Sequence, residues 1–138
     1  MNNEISSKIE ISQQKNVEIE GKIANLSVKS ASVIDEHFFY QTKIETHYRN
    51  RDTDESALSK SIEACKQQIG ISEKAKKAFL KEYDGSPLPS HIGYKQLCII
   101  LEKQKNYDEA IRIAQTAKKQ GWTGDWDKII EKCKKKRV

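Results

Sequence analysis

Three histidines, His37, His47 and His91, with carboxylates nearby at Asp35, Glu36 and Glu45, are the residue types that would suit a metal centre. Zinc takes imidazole nitrogens and carboxylate oxygens, and a helix offers two of them to one ion when they share a face. His37 and His47 stand ten residues apart, about 2.8 turns, which leaves them some 80° apart around a helix. That spacing predicts no metal site. Cys65, Cys98 and Cys133 are odd in number and widely separated, which fits neither a disulfide framework nor paired zinc knuckles. Such cysteine usage suits a reducing cytoplasm. Cys98 lies inside an apolar pattern and reads as a small packing residue rather than a nucleophile. The chain contains no glycine-rich phosphate loop, no His-Glu-x-x-His pattern and no Gly-x-Ser-x-Gly elbow. With nothing to argue for catalysis, the expectation is a non-enzymatic protein with no catalytic residue, cofactor or metal.

The second chemical candidate is phosphate binding. Of the net charge of +5, all the excess falls in the last 21 residues, which hold eight basic and three acidic groups. Lys132, Lys134, Lys135, Lys136 and Arg137 could contact phosphates by releasing counterions. Cations at a helix carboxyl end also complement its dipole, and that simpler role is favoured here. Trp122 and Trp126 precede the tail instead of interleaving with it, so they are expected to pin the last helix onto the one before.

The elements that would position these groups are helical. From Asp35 to Arg137 apolar residues recur at steps of three and four, which predicts six helices. The first covers about 35–49 with Ile34, Phe38, Ile44 and Tyr48 inward, and the second about 54–69 with Ala57, Leu58, Ala64 and Cys65 inward. The third covers about 72–83 behind a Ser72 cap, and a rigid Ser86-Pro87-Leu88-Pro89 loop follows. The last three cover about 90–104, 107–120 and 125–137; Asn106 and Glu109 have the form of a capping box, Gly121 ends the fifth helix, and Asp125 would cap the sixth.

Residues 1–34 form a separate segment with two open readings, while 35–138 make one helical domain. Ile9, Ile11, Val17 and Ile19 alternate with polar residues, as in a short β hairpin. Ile9, Ile19, Ile23, Leu26, Val33, Tyr40 and Ile44 follow heptad spacing instead, as in a long helix or an oligomerising coiled coil. No stretch approaches the roughly 20 apolar residues that span a bilayer, and no secretory leader is apparent, so no membrane partner is expected.

Tyr94, Leu97, Cys98 and Leu101, followed by Tyr107, Ala110, Ala114 and Ala117, resemble one tetratricopeptide repeat over residues 91–122. Small residues at Cys98 and Ala110 would let two antiparallel helices approach closely while larger neighbours fill the flanks. Residues 38–65 resemble a degenerate second copy, with Gln41 and Glu45 departing from the pattern. The two copies stand 53 residues apart rather than the family's 34.

The resemblance implies an all-α fold of antiparallel hairpins that holds a peptide segment of another protein in a groove lined by the first helix of each hairpin. Carried onto this chain, that face comprises Phe39, Lys43, Thr46 and Arg49 from the first helix and Ile92, Lys95, Ile99, Glu102 and Lys103 from the fourth. A protein-binding adapter or regulator is therefore the leading expectation, with nucleic-acid association through the basic tail, or an oligomerising structural role, as alternatives.

Overall fold

Small and apolar side chains at helical spacing fold the chain into α1 (Leu26–Arg49), α2 (Ala57–Gly70), α3 (Ser72–Glu82), α4 (Ile92–Lys103), α5 (Tyr107–Gln120) and α6 (Trp126–Lys136). A computed structural model describes residues 26–138, with side chains from residue 32 onward. The contacts below all lie within the unit Ser32–Val138. The six helices pack as adjacent pairs, and none is long and apolar enough to cross a membrane.

The first helix starts earlier than its expected bound at Asp35, because no proline or glycine interrupts the chain between Leu26 and Arg49. Its helical reading therefore holds back to Leu26, whereas the hairpin expected around Ile9–Ile19 lies outside the described residues. The buried stripe of α1 is Ile34, His37 and Ile44, with His37 and Ile44 fully enclosed. Phe38 was expected inward, but it turns about 100° past His37 and is 44% exposed. Leu58, likewise expected inward, is half-buried while Ser61 and Gln68 take the core side of α2.

Hydrogen bonds fix the pairing directions. Gln68 Nε2 donates to the His37 carbonyl at 2.8 Å and Ser61 Oγ to the Ile44 carbonyl at 3.2 Å, so seven steps forward on α1 match seven steps back on α2. That register is antiparallel. Between α4 and α5, the Cys98 thiol lies 3.6 Å from the Ala110 carbonyl and Tyr94 Oη donates to Gln120 Oε1 at 3.0 Å, again antiparallel. Lys118–Asp127 and Arg137–Asp108, each at 2.7 Å, give α5 and α6 the same relation.

Ala110, Ala114 and Ala117 are fully buried along the α4–α5 seam, and Cys98 faces them at 1% exposure. Replacing Ala110 with Leu is expected to lower folding stability by about 1–3 kcal/mol, because a packed helix seam has no space for three extra carbons. Urea unfolding followed by circular dichroism measures this, and an unchanged midpoint would show that the seam is looser than described.

The caps differ from the sequence reading. Ser72 is the first residue of α3, not its cap, and its hydroxyl is drawn 3.2 Å from Tyr94 Oη. Asn106 makes no side-chain cap bond, and the Glu109 side chain turns to Arg112. Asp125 also makes none. Gly121 does end α5, at a left-handed φ of 96° that L side chains rarely adopt.

The proline loop is tied down by the turn before α6. Thr123 Oγ1 donates to the Leu88 carbonyl at 2.6 Å and the Thr123 amide to Pro89 at 3.2 Å. Gln120 links the same region to α3, since it accepts from Trp122 Nε1 at 2.7 Å and donates to Glu73 at 3.2 Å. Trp122 thus does more than join α6 to α5: its ring packs against Phe79 of α3, His37 of α1 and His91 beside α4.

Candidate binding groove

The α1–α2 and α4–α5 hairpins meet where α4 packs on both α2 and α1. The rings of His37 and His91 lie 5.3 Å apart, and Lys103 Nζ donates to Tyr48 Oη at 3.3 Å, so α1 and α4 run parallel 54 to 55 residues apart in sequence. On its other flank α4 runs parallel to α6: Tyr94 meets the Trp126 ring at 6.4 Å, while Glu102 meets Lys132 at 3.2 Å and Lys136 at 2.7 Å. Those pairs are 30 to 34 residues apart.

Between α4 and α6 lies an open groove of about 500 Å³. Its apolar surface comes from Ile99, Ile129 and Trp126, and its charged rim from Lys95, Glu102, Asp125, Lys128 and Lys132. Gly124, at one end, must be glycine because a Cβ there would stand 2.7 Å from the Trp126 ring. Glu102 is held below the ordinary carboxylate range, chiefly by its hydrogen bond to Lys136 and also by Lys132.

Of the face expected from the sequence, Lys95, Ile99 and Glu102 line this groove, and the others do not. Ile92 is half-buried against the core, and Lys103 turns toward Tyr48. Phe39 is 58% exposed on α1, with Lys43 Nζ 5.5 Å above its ring; Thr46 and Arg49 are also exposed there. The sequence reading assigned Trp126 to packing and gave Lys128 and Ile129 no role in a groove; the offset of 30 to 34 residues between α4 and α6, close to the family's period, was the signal that could have found them.

The expected seam residues Tyr94, Leu97, Cys98, Leu101, Ala110, Ala114 and Ala117 are buried, and Tyr107 is half-buried against them. In the basic tail, Lys132 and Lys136 converge on Glu102, Lys134 is 3.9 Å from Glu131 and Arg137 is bound to Asp108. Lys135 is exposed and enters no ion pair with another described residue.

Behind the groove sits a feature the sequence reading did not anticipate. His37 and His91 are both fully buried, enclosed by Phe38, Phe79, Tyr94 and Trp122. His91 caps α4: its Nδ1 accepts from the Tyr94 amide at 3.1 Å, which puts the proton of the neutral ring on Nε2. His91 Nε2 and both His37 nitrogens have no hydrogen-bond partner among the described residues. Burial lowers His37 to about 4; burial, then the adjacent His37 ring, lowers His91 to about 3. Both rings are thus neutral at pH 7. Among the described residues no three His, Cys, Asp or Glu side chains converge as metal ligands. Burial also pushes the Cys65 and Cys98 thiols up to about 12, far from the thiolate form a nucleophile needs.

Comparisons with protein-family models, with curated proteins and with solved structures each returned no match.

Proposed function

We propose that this chain is a non-enzymatic, tetratricopeptide-like adapter that holds a segment of a partner protein in the groove between α4 and α6. The observation that carries this reading is the groove itself, open between two parallel helices spaced close to the family's 34-residue period. The buried alanines of α5 and the antiparallel α4–α5 and α5–α6 pairings support it. Between α1 and α4 the spacing is longer, because α3 and the proline loop intervene, so α1 extends the row without repeating the groove's period. Three free, buried thiols suit a reducing, cytoplasmic setting.

Concave sites of this size, apolar with a few charges at the rim, are where proteins commonly take ligands. A pull-down from native lysate tests the reading with two variants. Ile99→Glu/Ile129→Glu puts carboxylates into the apolar surface of the groove, and Lys43→Glu reverses a charge on α1 outside it. Loss of the captured partner with the first variant and retention with the second is expected. Equal recovery with both would remove the groove from the function.

A further inference from the structure

The groove's charges indicate what kind of segment it would take. Three carboxylates close to its lysines are already engaged: Asp127 with Lys118 on α5, Glu131 with Lys134, and Glu102 with both Lys132 and Lys136. Lys95 and Lys128 are left on the rim, exposed and in no ion pair with another described residue. The parallel register of α4 and α6 puts Lys95 level with the first turn of α6, residues 125–129, so the two lysines come from opposite walls at one height. Ile99 and Ile129 supply the apolar surface beside them. Asp125 is the one groove carboxylate outside these pairs, and it stands at the amino end of α6.

We infer that Lys95 and Lys128 read an acidic side chain next to an aliphatic one within the partner's segment, an inference that rests on the groove being the binding face. The aliphatic side chain contacts Ile99 and Ile129, and the carboxylate sits between the two ammonium groups. Glu102 sets the limit of this acidic register. Paired with both Lys132 and Lys136, it cancels one of their two charges, so that end of the groove attracts a second carboxylate less than it would without Glu102. The recognised feature is an internal side chain, so it does not require a chain terminus.

Three amidated Gly/Ser peptides, carrying a central Glu-Leu-Glu, Gln-Leu-Gln or Lys-Leu-Lys, test this by amide chemical-shift titration of the full chain. Glu-Leu-Glu is expected to shift Lys95, Ile99, Lys128 and Ile129 and to bind about threefold or more tightly than Gln-Leu-Gln, the scale of exposed ion pairs. That preference is expected to vanish in Lys95→Gln/Lys128→Gln and to shrink at 0.5 M salt, where screening shortens the reach of surface charges. Glu102→Gln is expected to strengthen Glu-Leu-Glu binding. Equal binding of Gln-Leu-Gln, or tighter binding of Lys-Leu-Lys, at the same amides overturns the acidic assignment and leaves the groove reading standing. Shifts confined to other surfaces, or none with any peptide, overturn both. A short oligothymidylate that shifts these amides more strongly than Glu-Leu-Glu reassigns the lysines to phosphate.

Discussion

Between pH 7 and pH 5 the protein is expected to lose about 4 kcal/mol of folding stability, nearly all of it from His37 and His91. In the unfolded chain both rings titrate near the ordinary value of 6.5, whereas burial holds them at about 4 and about 3 in the fold. A lowered folded-state value means that the unfolded state binds protons first as pH falls. The neutral pair's contribution is therefore complete above about 6.5, drops through the interval down to about 4, and is exhausted near 3. The groups facing the rings are Phe38, Phe79, Tyr94 and Trp122, with the Gln68 amide beside them, and none can take up an imidazolium charge as a carboxylate would.

Other groups titrate elsewhere or in the opposite sense. Asp54, Glu102 and Glu109 are held below their ordinary values and lose their contributions only in stronger acid. Asp35 is raised by burial and works against the histidines, so it can only reduce the measured slope. Urea unfolding at half-unit steps of pH measures the effect. His37→Phe is expected to remove about half of the pH 7 to 5 dependence, and His37→Phe/His91→Asn nearly all; Asn at 91 keeps a side-chain acceptor for the cap. A wild-type change below about 1 kcal/mol would mean that the rings are solvated or paired.

The second large effect is expected at Gln68, whose side chain alone joins three helices. Its Nε2 donates to the His37 carbonyl of α1 at 2.8 Å, and its Oε1 accepts the Gly93 amide of α4 at 2.6 Å, all fully buried. Gln68→Leu keeps a similar volume, leaves the enclosed Gly93 amide without a partner, and takes from the His37 carbonyl the second bond it accepts beside its helical one. At about 1–3 kcal/mol for the orphaned amide and about 0.5–1.5 kcal/mol for the other lost bond, the loss should be roughly 2–4 kcal/mol. Gly93 belongs to the same joint, since a Cβ there would stand 2.7 Å from Gln68 Oε1 and 3.2 Å from the Cys65 carbonyl. Chemical denaturation reads the loss directly. A Gln68→Leu protein within about 0.5 kcal/mol of wild type would show that the α1–α2–α4 joint is held by packing alone.

The α4–α5 hairpin was legible in the sequence because a repeat motif and local helical period agree there: Tyr94, Leu97, Cys98, Ala110, Ala114 and Ala117 all fall on the side their spacing assigns. The inward face of α1 was not, because hydrophobicity alone places Phe38 in the core and His37 outside. Only the contact with His91 and Trp122, from residues more than fifty positions away, reverses that order. The groove was half legible. Lys95, Ile99 and Glu102 follow from the helix they share, but the second wall depends on how α6 docks, and its lysines looked like the end of a solvated basic helix. Capping residues misled for two reasons: Ser72 meets Tyr94, a partner 22 residues away that neighbouring sequence does not reveal, while Glu109 takes the competing i,i+3 pair with Arg112 on its own helix.

The claim that the α4–α6 groove is the working surface is most directly tested by placing a photo-crosslinking phenylalanine analogue at Ile99, and separately at Gln115 on the exposed side of α5, in cells. Irradiation should join partner protein to the chain bearing the probe at Ile99 and leave the Gln115 form unlinked. Equal yields at both positions, or linkage from Gln115 alone, would contradict the assignment of that groove.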